Sequence, residues 1–346
     1  MEVVHGECGF CKRPGAYRCI ADITRIIPQS HSSVGTFLSC HYLYYLQKIL
    51  GIEVRPPFLS NALKAGKLWD CQKQFHLGVK EIHDHGVVYK NAWDVINHYE
   101  IDPMVVAKVR ALYKAYKELE IEVDPGYELQ EAVNLDYNIT LTSSSFIPSI
   151  NIGKEAINLW DERKNQEESK DSWTFPLKVN GFYDRKYSNY FTEDKLSGRP
   201  EFYLDPFYVD SQCSTYFLAN PELEYCILEV VRFPQQREYK KKEETPEEMF
   251  KRTYDDILSR PSKYFIDYNK EKRRYGRKFY RGEFQLDAAV ERFKQVTIEI
   301  LAARWRNGFY RNFKACSNLY PGIQCDYQNI CRTGNISDTM YQIREK

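Results

Sequence analysis

Long apolar runs are missing from this sequence, and their absence excludes one class of protein. No run approaches the ~18 apolar residues that a membrane-spanning helix needs, so we expect no membrane partner. The first residues lack the apolar core of a secretory signal, so we expect a cytoplasmic protein. The ATP-binding pattern G-x-x-x-x-G-K-S/T is absent as well. A strong net charge is also lacking, because 49 basic and 48 acidic residues leave only +1, so a nucleic-acid partner would need local basic patches.

Cysteine, in contrast, is frequent, with ten residues in a chain for which we expect a reducing compartment. Disulfides are rare there, and clustered cysteines more often bind a metal ion or an iron–sulfur cluster. Cys71, Cys213 and Cys226 fall in periodic segments and are predicted to be packing residues. The other cysteines lie towards the two ends of the chain and form two candidate sites.

The N-terminal candidate is a small zinc site. Cys8 and Cys11 have the C-x2-C spacing that is typical of zinc knuckles, and Cys19 follows nearby. His5 and His31 are both candidates for a fourth ligand. The alternative is a flexible lead-in that happens to carry cysteines.

The C-terminal candidate consists of Cys316, Cys325 and Cys331, spaced C-x8-C-x5-C. A tetrahedral metal site or a four-iron cluster needs four ligands, so one is missing. Cys40, from the other end of the chain, is the candidate for it. Three unrelated buried thiols, or Zn²⁺ at the same four cysteines, are the alternatives.

The hydrophobic pattern predicts helices before and after a small mixed sheet. The predicted helices cover residues 36–50, 57–78, 92–119, 207–219, 245–260 and 286–307. The first is expected to stop at Gly51, and the third to break near Asp102-Pro103. The predicted strands cover residues 128–142, 173–187, 189–197 and 224–233, with a turn at Ser188-Asn189. Residues 152–172 are polar and are expected to form an exposed helix or insertion.

The most informative stretch for function is residues 181–216. A strand ends in G-F-Y-D at Asp184, and the next strand carries Glu193 and Lys195. Two carboxylates at one end of a hairpin repel each other unless a cation lies between them, and hard divalent ions prefer such oxygen ligands. Lys195 shares a face with Glu193 by strand alternation, so its ammonium group can hold a water or balance charge on phosphate oxygens. The alternative is a set of ordinary surface charges.

A helix then carries Gln212 and Tyr216, which are four residues apart and share one face. An amide and a hydroxyl on one face suit contact with a nucleic-acid backbone.

In this order, G-F-Y-D, E-D-K and Q-C-S-T-Y resemble the G-x-x-D, (D/E)-x-K and Q-x-x-x-Y patterns of the RecB-like PD-(D/E)XK nucleases. The resemblance implies that Asp184 and Glu193 hold a catalytic Mg²⁺ or Mn²⁺ and that Lys195 assists the attacking water. It also implies that Gln212 and Tyr216 shape the DNA-facing side. The expected fold is α/β, with a restriction-endonuclease-like core (a small mixed sheet flanked by helices) and helical N- and C-terminal arms. Strand alternation predicts that Asp194 points away from Lys195.

Two further features of the resemblance concern other segments. Where the family usually has G-x-x-x-H, this chain has G-K-L-W-D, so Asp70 is the expected further metal ligand, with His76 as a nearby substitute. The iron–sulfur subgroup of the same nucleases has one cysteine before the core and three after it. This implies a structural 4Fe–4S cluster on the four cysteines of the C-terminal candidate. The expected division is a Cys-rich segment 1–35, a helical arm 36–125, the nuclease core 126–235 and a helical arm 236–346.

A basic tract covers residues 270–281, in which seven Lys or Arg residues alternate with Tyr275, Phe279 and Tyr280. Cations bind phosphates and aromatic rings can stack on bases, so the tract is a predicted DNA contact, with a solvated charged loop as the alternative. Its predicted contact residues are Lys272, Arg273, Arg274, Arg277 and Lys278.

These features predict an enzyme, a metal-dependent DNA nuclease, with exonuclease action on a single strand or an ended duplex expected by family analogy. Any ATP-driven unwinding would then need a helicase or another DNA-processing partner. Two rival hypotheses stay open: a catalytically weak or inactive DNA-binding or scaffold protein of the same fold, and an endonuclease subunit of a larger complex.

Overall fold

Helices flank several small sheets in the part of the chain that the computed structural model describes, which comprises residues 30–84, 86–129, 131–142, 172–204, 211–239, 243–306, 309–312 and 325–343. The predicted mixed α/β class, with small sheets flanked by helices, is thereby confirmed. Of the predicted polar insertion 152–172, all but the last residue lies outside the described residues.

The helices are short to medium in length, and each carries its label from here on. They are α1 (His31–Ser39), α2 (His41–Tyr44), α3 (Asn61–His76), α4 (Ala92–Tyr99), α5 (Pro103–Glu118), α6 (Glu201–Leu204), α7 (Ser211–Ala219), α8 (Pro246–Ser259), α9 (Pro261–Tyr264), α10 (Leu286–Arg306) and α11 (Gln328–Thr333). Single turns of 3₁₀-helix cover Pro56–Phe58 and Arg281–Glu283, and a π-helical turn covers Tyr45–Ile49.

The strands form one five-stranded sheet and three two-stranded sheets. They are β1 (Ile52–Val54), β2 (Ile82–Asp84), β3 (Val87–Tyr89), β4 (Glu128–Leu129), β5 (Ala132–Thr142), β6 (Ser172–Phe182), β7 (Arg185–Lys186), β8 (Tyr190–Ser197), β9 (Tyr225–Arg232), β10 (Arg277–Tyr280) and β11 (Tyr341–Ile343). The large sheet has the order β10-β9-β8-β7-β4, and the small sheets pair β1 with β11, β2 with β3 and β5 with β6.

The large sheet is mixed, as predicted. Strands β8 and β9 are parallel, and the crossover between them contains α6 and α7, while the other pairs are antiparallel. Strand β10 belongs to this sheet although it lies beyond residue 235 in the chain. The sheet is therefore not confined to the expected core segment 126–235.

Successive residues of strand β9 point to opposite faces of the sheet, and apolar side chains cover both faces. Val231 belongs to a hydrophobic cluster with α3, α4, α5 and α8, in which Trp69, Leu112 and Ile257 are buried. Val230 belongs to a second cluster, which includes Phe217 of α7. Any charged side chain on the central strands is therefore held in a low-dielectric environment, where it needs a partner.

The single helix predicted over residues 36–50 is wrong, because the chain breaks at Cys40. The backbone of Cys40 is extended, with φ −158° and ψ 111°, and it ends α1 and begins α2. Two distant groups bind the backbone at this break: Asn312 Nδ2 donates to Ser39 O at 2.8 Å, and Tyr310 O accepts from the N–H of Tyr42 at 3.0 Å. Such long-range partners are not visible in local sequence periodicity.

Other predicted boundaries are confirmed. Helices α4 and α5 are separate, with Asp102 capping α5 in front of Pro103. Thr245 and Glu248 form a capping box at the start of α8. Gly51 has φ +68°, a conformation that glycine adopts without strain, and it follows the last turn of the π-helical segment.

Candidate active site

The hairpin of β7 and β8 brings the predicted carboxylates together. Its register pairs Arg185 with Thr192, and one further step along the same register sets Asp184 opposite Glu193. The backbone N–H of Asp194 donates to Asp184 Oδ2 at 2.7 Å, which fixes the carboxylate beside β8. Directly opposed residues lie on the same face of an antiparallel pair, so the two acids share one side of the hairpin.

Glu193 is surrounded by the other residues of the predicted constellation. The residue is only 2% exposed, and Lys195 Nζ donates to its Oε1 atom. The same Oε1 atom accepts from Gln212 Nε2 at 2.8 Å, and Lys195 Nζ also lies 3.4 Å from Gln212 Oε1. Strand β8 and helix α7 therefore meet at this carboxylate, with one cation and one amide beside it.

Tyr216 holds Gln212 in place through a hydrogen bond. Gln212 Nε2 donates to the Tyr216 hydroxyl at 2.8 Å, and that hydroxyl donates to Phe182 O at 2.6 Å. Burial raises the pKa of Tyr216 and keeps its hydroxyl protonated as a donor. The predicted contact of Tyr216 with a nucleic-acid backbone is wrong, because the residue is 2% exposed and its hydroxyl is used inside the protein. Tyr216 instead connects α7 to the end of β6.

Close packing explains why the first residue of G-F-Y-D is a glycine. A Cβ atom at Gly181 would lie 2.8 Å from Cε1 of Tyr216, closer than a carbon contact allows. That ring is enclosed by Tyr183 and Phe191, with ring centroids at 4.6 and 5.2 Å. Gly181 therefore lets the Tyr216 ring pack directly against the strand that leads to Asp184.

Helix α3 adds Asp70 to the neighbourhood of Asp184. Burial raises the pKa of Asp184, and the charge of Asp70 raises it further. Burial also raises the pKa of Asp70, whose Oδ2 accepts from Gln74 Nε2 at 2.9 Å. His76 does not substitute for Asp70, because its ring packs edge-on against Tyr113 and Tyr116.

Carboxylate oxygens are suitable ligands for a hard divalent cation, but the protein does not surround such a cation with a complete set of ligands. Among the described residues, no group of three or more His, Cys, Asp or Glu side chains is placed to hold a metal ion. Mg²⁺ usually retains several waters and is bound through one or two carboxylates together with substrate phosphates. Asp184 and Glu193 suit that mode. Burial raises the pKa of Asp184, and the positive charge of a bound cation would lower it.

A buried ion network lies on the opposite face of the same strands. Asp194 points away from Lys195, as predicted, and its Oδ1 accepts from Lys73 Nζ at 2.7 Å. Glu229 is its register neighbour on β9, so two carboxylates lie side by side. Arg185 NH2 lies 2.6 Å from Glu229 and 3.4 Å from Asp194, and Lys73 Nζ lies 3.0 Å from Glu229. Two cations thus balance two carboxylates.

Burial and charge oppose each other in this network. Burial alone would raise the pKa of Glu229, but Arg185 and Lys73 hold it well below its usual range. Burial raises the pKa of Asp194 to about 6, although Lys73 and Arg185 lower it. Lys73 and Arg185 were not predicted from the sequence. The available signal was Glu229, a carboxylate in the middle of the apolar strand Y-C-I-L-E-V-V-R.

Three of the four cysteines proposed for the C-terminal candidate site lie in the described part of the chain. Cys40 and Cys325 belong to one hydrophobic cluster with Tyr327 and Tyr341, and Cys331 is also buried. They do not form a group of three metal-binding side chains, and Cys316 lies outside the described residues. Strand β1 pairs with β11, so the two ends of the described chain are joined by backbone hydrogen bonds as well.

The remaining cysteine predictions have mixed outcomes. Cys71, Cys213 and Cys226 are fully buried packing residues, as predicted. The candidate zinc ligands near the N-terminus lie outside the described residues; they are Cys8, Cys11 and Cys19.

The basic tract differs from the prediction in its aromatic residues. Tyr275 and Phe279 are 5% and 8% exposed, so they cannot stack on bases, whereas Tyr280 is 54% exposed. Three of its arginines also contact carboxylates: Arg273 contacts Glu120 and Glu122, Arg274 contacts Asp124, and Arg277 contacts Asp267. DNA contact by Lys272 and Lys278 stays a prediction, as it does for these arginines.

Comparisons with known proteins add no family. No protein-family model matches the chain, and no curated protein or solved structure matches it either. In the described part of the chain, every helix is too short or too polar to traverse a bilayer.

Replacing Gly181 by Ala should destabilise the protein by about 1–3 kcal/mol, because the new methyl group would overpack against the enclosed Tyr216 ring. Urea unfolding followed by tryptophan fluorescence measures this. Gly66→Ala is the matched control, because nothing lies within 4 Å of that helical position. It should stabilise the protein by roughly 0.5–1 kcal/mol. Equal stability of Gly181→Ala and the wild type would contradict the packing described for Tyr216.

Replacing Lys73 by Met should cost about 3–5 kcal/mol of unfolding free energy at neutral pH, because two buried carboxylates lose a shared cation. Burial already raises the folded-state pKa of Asp194 above its usual value, and the loss of the Lys73 charge raises it further. Protonation then relieves the penalty, so the difference from the wild type should shrink as the pH falls from about 7 to about 5.

Lys294→Met provides the control for this experiment, since Lys294 forms an exposed ion pair with Glu291. It should change stability by less than about 1 kcal/mol at either pH. If Lys73→Met matched that control, the network would not stabilise the fold.

Proposed function

We propose that this chain is a metal-dependent DNA nuclease of the PD-(D/E)XK type that hydrolyses phosphodiester bonds. The supporting observation is the set of contacts around Glu193, where Lys195 and Gln212 bind one carboxylate oxygen and Asp184 lies opposite across the hairpin. These residues come from strand β8, from helix α7 and from the short segment between β6 and β7, so their meeting depends on the fold and not only on the sequence order.

Each residue has a distinct part in the proposed reaction. Asp184 and Glu193 would hold Mg²⁺ or Mn²⁺, with Asp70 as a further carboxylate nearby. Such an ion, when bound, neutralises charge on phosphate oxygens and lowers the pKa of a bound water. Lys195 would orient the attacking water and balance charge on the phosphate. Gln212 would hold the Glu193 carboxylate in place, and Tyr216 would hold Gln212.

The proposed substrate is DNA with a free end or a single strand. This follows from the resemblance of the three motifs to RecB-like nucleases, because fold and site alone do not identify the substrate. Unwinding of a duplex would then be the task of a partner. An endonuclease would cut circular and linear DNA alike, whereas an exonuclease would cut only linear DNA.

Hydrolysis is tested with end-labelled single-stranded and duplex DNA in the presence of Mn²⁺ or Mg²⁺. The wild type should cleave, and EDTA should abolish cleavage. Lys195→Ala and Glu193→Gln should each reduce the rate by at least about 100-fold, because each removes a preorganised charge from the reacting centre.

Lys186→Ala is the matched control for Lys195→Ala. Lys186 lies on the same hairpin but pairs with Glu131 at 2.8 Å, so the control should keep wild-type activity. The proposal fails if a folded wild type binds DNA but cleaves none under any metal condition. That result would favour the non-catalytic DNA-binding hypothesis.

We also propose that Cys40, Cys316, Cys325 and Cys331 hold a structural 4Fe–4S cluster. The burial of the three described cysteines at the joined chain ends supports it. Protein purified without oxygen should be brown and contain about four irons per chain. Cys40→Ser should lose iron and colour, whereas Cys71→Ser, at a buried packing thiol, should keep both. A colourless wild type with one zinc would replace the cluster by Zn²⁺ and leave the nuclease proposal untouched.

A further inference from the structure

A cavity of about 510 Å³ lies among helices α3, α5 and α8. Its lining combines three cations, two aromatic rings, one carboxylate and one buried amide, and consists of Gln72, Arg110, Tyr113, Lys114, Lys117, Glu118 and Phe250. None of these residues belongs to the constellation around Glu193, so the proposed hydrolysis does not account for the cavity.

The three cations of the cavity have no ion-pair partner within the described part of the chain. Arg110, Lys114 and Lys117 lie at i, i+4 and i+7 on α5, so they share one helix face. Lys114 Nζ lies 4.7 Å from the centroid of the Tyr254 ring, and Lys117 Nζ lies 5.7 Å from that of Tyr113. Exposed cation–π contacts contribute only about 0.5–1 kcal/mol, so these cations are available to an anionic ligand.

A second cavity of about 460 Å³ shows that this is not a general property of the surface. Its four cations are each bound to a carboxylate: Arg232 to Glu201, Arg252 to Glu244, and both Arg260 and Lys263 to Asp256. Every cation of that second cavity therefore has a carboxylate partner within the protein. The cations of the first cavity, called the α5 cavity below, have none in the described part of the chain.

Gln72 supplies the second observation. It is 6% exposed, and its Oε1 atom is buried without a hydrogen-bond partner. A buried acceptor left without a donor costs about 1–3 kcal/mol. Because Gln72 lines the cavity, a ligand with an N–H group could satisfy this atom.

We propose that the α5 cavity binds a nucleotide, either free or as one unit of a single strand. Its phosphate would lie against Arg110, Lys114 and Lys117, since Lys and Arg bind phosphate oxygens. Its base would pack against Tyr113 and Phe250, because aromatic side chains stack on bases without regard to sequence. Gln72 Oε1 would accept a base N–H, which every base offers on its pairing edge. This site is independent of the proposed hydrolysis.

The test measures binding of a fluorescein-labelled twelve-nucleotide single strand by anisotropy in EDTA, where no metal-dependent cleavage occurs. The double variant Lys114→Gln/Lys117→Gln should bind about tenfold more weakly. Its plot of log affinity against log salt should be shallower by roughly 1.4, because each lost phosphate contact on a single strand removes about 0.7. Both positions are exposed, so the variant should fold normally.

Arg260→Gln/Lys263→Gln is the matched control, because it removes two positive charges from the second cavity, where both residues contact Asp256. It should keep the affinity and salt dependence of the wild type. If both double variants weaken binding equally, the effect is one of net charge alone and the proposed site is overturned.

Competitors distinguish the source of the ligand. If AMP displaces the labelled strand, the site accepts a free nucleotide; if only an unlabelled strand displaces it, the site reads a nucleotide within a strand. Gln72→Leu should raise the dissociation constant of the labelled strand and the inhibition constant of AMP, and leave the inhibition constant of inorganic phosphate unchanged. Displacement by phosphate as effective as that by AMP and by the unlabelled strand would overturn the base-binding part, and wild-type binding by Lys114→Gln/Lys117→Gln would overturn the whole.

Discussion

The register of the β7–β8 hairpin is the constraint on which the candidate site depends. A slip of one residue would move every side chain of β8 to the other face. Arg185 and Asp194 each follow one of the opposed acids in the chain, and they contact each other on the opposite face. Lys73 and Glu229 complete that contact inside the protein. The buried charges behind the hairpin therefore favour the one pairing that sets Asp184 against Glu193.

The two faces of β8 carry different kinds of charge. On one face, Glu193 is bound by Lys195 and Gln212, and Asp184 is its register partner across the hairpin, so two carboxylates face one ammonium group and suit a cation. On the other face, the positive and negative charges balance, which suits a structural role. The same backbone thus holds an unbalanced site and a balanced one, separated by the thickness of a single strand.

Much of this site followed from local pattern. Strand alternation separates Glu193 and Lys195 from Asp194, and the four-residue spacing of Gln212 and Tyr216 places both on one face of α7. Tertiary contacts were not accessible in this way. Lys73 contacts Asp194, which lies more than a hundred residues further along the chain, and the break at Cys40 is bound by Asn312 from the other end of the chain. Likewise, the burial of Tyr275 and Tyr216 follows from packing partners that periodicity does not reveal.

Mn²⁺ binding in the absence of DNA tests the central claim most directly. Titration calorimetry of the wild type should detect at least one Mn²⁺ per chain, and Asp184→Asn and Glu193→Gln should each remove it, because the ion needs both carboxylates. Asp256→Asn, on a carboxylate bound by Arg260 and Lys263, should bind Mn²⁺ as the wild type does. Unchanged binding in both Asp184→Asn and Glu193→Gln would contradict the pairing of these two acids around a metal ion.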